Sequence, residues 1–338
     1  MQSAYKKMNV LLVSNYSPDI GGISGQIELL LKYLPSDALK ISLFNCKANK
    51  LRRLLLPFLL VLKARRANVL HLHGCSNLGF YPIVIGVCVG KLLRKKIIIT
   101  YHGGGLKEFL NKYKKIVILF LKQADILTVP SKYLKDILDE VNVASIVLPN
   151  ILRDDNVIFK KRAMIKPILI TTRAHEQVYN LPLLIRAFAE LKKYHKNAKL
   201  RLIGDGSLRK QLELLVLQIG LVDVAFAGKV NNSEIGEELN KADIYINPTT
   251  KDSFSVSMFE AFACGLPVIS TNVGAIPNFL VDRYNGLLIE SNNIEQLVEK
   301  ITYLLNNQDH AQKIIKNGLD TFKKYTWGNL KDQYYSLY

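Results

Sequence analysis

Short apolar runs alternate with helical patterns along this chain, and the alternation breaks once, near residue 151, before it restarts at Pro167. Strand followed by helix in repeating order is the mark of a parallel sheet, since parallel neighbours need a crossover long enough to hold a helix. Candidate strands in the first half are 9–14, 39–45, 69–73, 96–101, 125–129 and 145–148. The second half restarts at 167–172 and continues with 200–206, 225–230 and 268–270. Residues 151–166, ILRDDNVIFKKRAMIK, have no clear period and read as a linker. The expectation is an α/β protein with two domains, 1–150 and 167–324, each of a size able to bury its own core.

A hydrophobic content of 49% with 22% charged residues places the chain among folded proteins rather than disordered ones. Its four cysteines, Cys46, Cys75, Cys88 and Cys264, are far apart, so a zinc site or disulfide frame is not expected and a cytoplasmic location is. The basic N-terminus reads better as the approach to a first strand than as a secretion signal, and no apolar run is long enough for a spanning helix.

The net charge of +18 is lopsided: residues 1–165 hold 26 Lys and Arg against 10 Asp and Glu. Such asymmetry suits an anionic surface or polymer facing the first half, and a solvated lysine-rich surface also accounts for it. The segment 50–66, KLRRLLLPFLLVLKARR, sets an apolar run between cations, and 112–122, KYKKIVILFLK, repeats the theme. Both can lie in a membrane interface or pack inside the protein, and Pro57 argues against one uninterrupted helix in the first.

The tightly spaced chemistry lies at 247–280, where Asp252 and Glu260 stand eight positions apart around a loop that turns into a helix. The apolar pattern from Val256 to Ala263 stops at Gly265 and Pro267, and Val268–Ser270 reads as a buried strand. Backbone N–H groups of Ser253, Phe254, Ser255 and Val256 can bind phosphate or sugar oxygens at the helix start, and carboxylates accept hydroxyl hydrogens. Were the whole span helical, the carboxylates would be roughly 12 Å apart along the axis. An N-capping Asp and a surface Glu explain the same spacing.

Other candidates sit where strands end. Gly21-Gly22 follows the first strand and opens a helix, but its spacing is not a dinucleotide fingerprint. His102 ends a strand before three glycines that let a ligand come close, whereas His71 and His73 read as structural.

The 252–268 segment, DSFSVSMFEAFACGLPV, resembles the E-x7-E signature of family 4 glycosyltransferases, with Asp for the first Glu and Ser for two glycines. The resemblance implies the GT-B architecture: two Rossmann-like domains with parallel sheets facing across a cleft, the second domain holding a nucleotide sugar. It implies an acceptor on the basic first domain and a closing helix, 325–338, that returns to that domain. Residue by residue, it places Glu260 at the ribose, Asp252 and His102 at the donor sugar, and Arg173 at the diphosphate through bidentate bonds. Gly22 would lie against the phosphates and Val230 against the base. A lysine usual in the family is replaced here by Tyr179, with Lys251 and His175 as substitutes to consider.

The function expected from this resemblance is retaining transfer of a hexosyl group from a UDP- or GDP-sugar to a lipid-linked or polysaccharide acceptor, with neither metal nor cofactor. The departing phosphate would take the acceptor's proton. The enzyme is expected in surface glycan assembly, peripheral to the inner membrane face, with no nucleic-acid partner. A sugar-nucleotide epimerase and a non-enzymatic glycan- or membrane-binding protein on the same scaffold are the rival expectations.

Overall fold

The computed structural model describes residues 7–18 and 22–338; Gly21 of the expected glycine turn lies outside them. The elements run β1 (Met8–Ser14), α1 (Ile23–Tyr33), β2 (Leu39–Asn45), α2 (Lys50–Ala64), β3 (Val69–Gly74), α3 (Tyr81–Leu92), β4 (Lys96–Tyr101), α4 (Leu106–Leu121), β5 (Ile126–Val129), α5 (Lys132–Asp139) and β6 (Ile146–Val147). They continue β7 (Ile168–Thr171), α6 (Leu181–Tyr194), β8 (Lys199–Ile203), α7 (Arg209–Ile219), β9 (Val224–Gly228), α8 (Ile235–Leu239), β10 (Ile244–Asn247), α9 (Val256–Ala263), β11 (Val268–Thr271) and β12 (Leu287–Ile289). Three helices finish the chain, α10 (Ile294–Asn306), α11 (Gln308–Lys323) and α12 (Trp327–Tyr335).

Two compact units result: residues 1–151 with 327–338, and residues 152–326. The first has a six-stranded parallel sheet in the order β2-β1-β3-β4-β5-β6. Its strands are near-continuous apolar runs because helices cover both faces; Leu11, Val13, Leu70, Leu72, Ile97 and Ile99 are all buried. The second has a six-stranded parallel sheet in the order β9-β8-β7-β10-β11-β12, which is the Rossmann order. Strand order reverses between β1 and β3 in one unit and between β7 and β10 in the other, and ligands bind such sheets beyond the carboxyl ends of the strands at that switch.

Several expectations need correction. β10 and β12 did not stand out because runs of four and three residues are too short to show a period. β6 keeps two residues of the expected four. Pro57 lies inside an unbroken α2. A helical proline frees the carbonyl four residues back, here that of Arg53, and the Tyr81 hydroxyl donates to it at 2.8 Å, so the helix continues.

Residues from Leu152 onward group with the second unit. Arg162 is buried there, donating to the carbonyls of Ala242 (3.0 Å), Cys264 (2.7 Å) and Gly265 (2.9 Å), with Asp243 at 3.3 Å. It thus satisfies carbonyls left over at the end of α9. The segment Trp327–Tyr338 groups with the first unit, where Trp327 stacks on Tyr33 with ring centroids 5.4 Å apart and the Tyr334 hydroxyl donates to the Pro149 carbonyl at 2.8 Å.

Candidate active site

In the second unit the strand order places the end of β7 beside the end of β10, and Arg173, Asn247, Asp252 and Ser255 meet there. Arg173 follows β7 and is buried. Its Nε donates to Asn247 Oδ1 at 2.8 Å, and its Nη2 donates to Ser255 Oγ at 2.6 Å and to Asp252 Oδ2. Asn247, the last residue of β10, is itself fixed by a 3.0 Å bond from Nδ2 to Ser270 Oγ on β11. The Tyr179 ring lies over the guanidinium, 4.8 Å from its centroid, at the position where the resemblance expects a lysine. Burial pulls the Arg173 pKa down, and Asp252 with the Tyr245 and Tyr179 hydroxyls more than reverses this, so the guanidinium stays charged.

This arrangement revises the expected division of labour. Asp252 accepts from Arg173 at one oxygen and from the Phe254 N–H at the other (3.0 Å), so both carboxylate oxygens already have protein donors. A side chain one methylene shorter than Glu turns back onto the arginine instead of reaching outward. Its backbone is pinned too: the Ala275 N–H donates to the Asp252 carbonyl at 2.9 Å, and a Cβ on Gly274 would stand 2.3 Å from that oxygen. Arg173 spends Nε and Nη2 inside the protein, and Nη1 is the guanidinium nitrogen without an acceptor among the described residues. A two-pronged grip on a diphosphate is therefore not open in this state.

The helix start is also less open than its sequence suggests. The Phe254 N–H is used by Asp252, and the Val256 N–H donates to the Phe254 carbonyl at 3.0 Å. The Phe254 ring packs against Phe259, Phe279 and Tyr325 with centroids 4.9–5.9 Å away, which makes it a core anchor. Ser253 is half-buried in the turn before α9, and Ser255 is buried and bonded to Arg173. Because the helix begins at Val256, the full helical rise between the two carboxylates does not apply. Glu260, half-buried on α9, has its pKa pushed up to about 7 by desolvation, against the opposing pull of Arg173 and Arg153.

The ends of β8 and β9 are joined by a 2.8 Å bond from the Gly204 N–H to the Gly228 carbonyl, and half-buried Val230 follows. His175, considered as a substitute for the expected lysine, is fully buried, neither ring nitrogen has a hydrogen-bond partner among the described residues, and burial followed by the Arg209 charge lowers its pKa. Lys251 is exposed.

In the first unit, Gly22 caps α1 at φ 68° and ψ −129°, a conformation open to glycine, with nothing within 4 Å of where a Cβ would stand. His102, after β4, hydrogen-bonds His73 through a 3.0 Å contact between its Nε2 and His73 Nδ1, and Asn150 hydrogen-bonds it as well. Gly103 is packed by the protein itself, since a Cβ there would meet Cys75 and the Tyr101 hydroxyl at 3.0 Å. His71 continues a buried chain, with Nδ1 2.6 Å from the Tyr338 hydroxyl and Nε2 2.7 Å from Thr100 Oγ1. His73, read as structural, thus touches the candidate His102, a contact that the His-x-His spacing at a strand end could have suggested. Asn247 was missed as well, although it closes a strand at the switch point.

The family model described as "Glycosyl transferases group 1" matches residues 154–321, and that described as "Glycosyltransferase Family 4" matches 29–154. An uncharacterized glycosyltransferase of Methanocaldococcus jannaschii is 29% identical over 95% of both chains. The alpha-monoglucosyldiacylglycerol synthase of Acholeplasma laidlawii is 28% identical over 42% of this chain and 35% of that one. The structure of Anabaena HepE in complex with UDP and glucose superposes with a TM-score of 0.81, covering 98% of this chain and 99% of that one at 15% identity. With two Rossmann-like units, and both of its halves matched by such models, the chain belongs to the family 4 type of GT-B glycosyltransferases and is an enzyme of the hexosyl-transferring class.

Proposed function

We propose that this enzyme moves a sugar from a nucleotide diphosphate, UDP- or GDP-linked, to a lipid-linked or polysaccharide acceptor, with retention at the anomeric carbon and without metal or cofactor. The observation that carries the donor side is the cluster at the β7–β10 switch: a buried, permanently charged Arg173 held by Asn247, Ser255 and Asp252, with Glu260 on the adjoining helix. Arg173 Nη1, left over by these bonds, meets a phosphate oxygen in this reading as negative charge develops on the leaving diphosphate. Asp252 keeps that arginine charged and oriented, and Glu260, once ionised, accepts the ribose hydroxyls. The bound UDP in HepE and the diacylglycerol in the name of the Acholeplasma relative support a nucleotide donor and a lipid acceptor. Retention rests on the resemblance of the Asp252–Glu260 segment. In this reading the enzyme works at the cytoplasmic face of a membrane in surface glycan assembly, on an acceptor bound by the basic first unit.

Thermal unfolding against a panel of UDP- and GDP-sugars tests the donor assignment, since a ligand bound only by the folded state raises its stability. One donor should raise Tm in the wild type and fail to do so in Glu260→Ala. A folded Glu260→Ala protein that still responds fully removes Glu260 from the site.

A further inference from the structure

We infer that the outward face of α2, with that of α4 on the same side of the sheet, is a docking surface for an anionic phospholipid bilayer. In α2, Leu54, Leu55 and Phe58 are 78%, 60% and 66% exposed, and Leu59 and Leu62 are exposed with them. At about 100° per residue these five positions fall within an arc of roughly 140°. The opposite stripe, Leu56, Leu60 and Ala64, is buried in the core of the unit. The helix is therefore apolar on both sides, and its own fold covers one of them. α4 repeats the pattern, with Ile116 (54%) and Leu119 (58%) exposed beside the exposed Lys112 and Lys115.

Topology puts these stripes on one side of the molecule's first unit. β3, β4 and β5 follow one another across the sheet in the same direction, so right-handed crossovers lay α2, α3 and α4 on one face and α1 on the other. α2 packs on α3 and α3 on α4. Pro57 does not break the surface, because Tyr81 of α3 takes up the carbonyl that it frees.

Charge says what covers this face. Residues 38–107 contain 13 Lys and Arg and no Asp or Glu. Arg52, Lys63, Arg65 and Arg66 are exposed at the ends of the apolar stripe of α2, and Lys91 and Arg94 at the end of α3. Apolar side chains ringed by cations along α2 and α3, with the exposed acid of these helices, Glu108, set apart in the first turn of α4, match an interface of acyl chains beneath anionic headgroups. A second copy of this chain would bring the same cations against its own. No helix among the described residues is long and apolar enough to cross a membrane, so the contact is one of lying on the surface.

This deepens the proposed function, on which its biological meaning rests: a docked face would hold the first unit where a lipid-linked acceptor resides. The binding itself is tested without donor or acceptor. Full-length protein is sedimented with vesicles of phosphatidylcholine alone or mixed with phosphatidylglycerol, alongside Leu55→Gln/Phe58→Gln and Arg65→Gln/Arg66→Gln. All four changes are at exposed positions, and circular dichroism together with retention of any donor-induced Tm rise checks the fold. The expected result is binding to the anionic vesicles, weakened about tenfold or more by each pair. Binding by charge alone, as to a nucleic acid, would leave the apolar pair unaffected and overturn the proposal. So would a folded wild type that ignores anionic vesicles, or a lipid-free dimer that Leu55→Gln/Phe58→Gln converts to monomer while vesicle binding stays the same. A failed donor assay with intact vesicle binding would instead count against the donor reading alone.

Discussion

Asp252 and Arg173 form an ion pair across 79 residues of sequence, both nearly out of contact with water, at 9% and 10% side-chain exposure. Removing one partner of such a pair leaves a buried charge uncompensated, which costs more than the pair contributes over an apolar substitute. Asp252→Ala should therefore destabilise the second unit by about 3 kcal/mol, with Ser255 and Asn247 retaining the guanidinium in place. Urea unfolding measures this. A loss within about 0.5 kcal/mol would mean that Arg173 reaches water in solution and that the pair does not organise the site.

Glu260 titrates near 7 because burial disfavours its charge more than Arg173 and Arg153 favour it. A carboxyl whose folded pKa lies above its unfolded value of 4.5 binds a proton on folding between those two values, so its contribution to stability falls as pH rises from 4.5 to about 7 and is constant above. Glu260→Gln should remove that fall. The same proton must leave before the carboxylate can accept ribose hydroxyls, so donor affinity should rise as pH increases from about 6 to about 8 in the wild type. Isothermal titration calorimetry should find it flat in Glu260→Gln; parallel pH profiles for the two proteins would place the titration elsewhere.

What the sequence made legible, and what it did not, follows from the range of each interaction. Strands such as 39–45 and 96–101, and the helix ending at Gly265, announce themselves through local periodicity, and the structure has them with those limits to within two residues. The Asp252–Glu260 spacing is local too. The partners of Arg173 are not: Asn247 and Ser255 meet it only because β7 and β10 are neighbours at the point where strand order reverses. Pro57 misleads for the same reason, since the hydroxyl that rescues its helix comes from Tyr81 on another element. His73 finds His102 through the pairing of β3 with β4, a register no single strand contains.

The Tyr81 hydroxyl and Pro57 should be energetically coupled. In the wild type, Tyr81→Phe strips the donor from the Arg53 carbonyl that the proline leaves without its helical partner, at a cost of about 1 kcal/mol. In a Pro57→Ala background the substituted residue supplies its own N–H to that carbonyl, and Tyr81→Phe should be nearly neutral. A double-mutant cycle measured by chemical denaturation reads the difference. An interaction energy near zero would show that the carbonyl is served by water and that Tyr81 does not support α2.

The first unit should lose stability on mild acidification. His71 is pushed down to about 3 and His102 to about 4, chiefly by burial, with Asn150 opposing the shift at His102; His73 is held well below 6.5 by burial and its two histidine neighbours. A histidine whose folded pKa is depressed contributes stability above its unfolded value of 6.5 and loses it as pH falls toward the folded pKa. Each ring then weakens folding by about 1.4 kcal/mol per pH unit below 6.5. The chain's single tryptophan, Trp327, stacks on Tyr33 within this unit, so its fluorescence reports the unit's unfolding. Urea titrations at pH 7 and pH 5 should show a loss that is smaller in His73→Gln than in the wild type, whatever that substitution costs at pH 7. An unchanged difference between the two pH values would mean that His73 is already charged or solvated in the folded protein, and that the His73–His102 contact is not a bond between neutral rings.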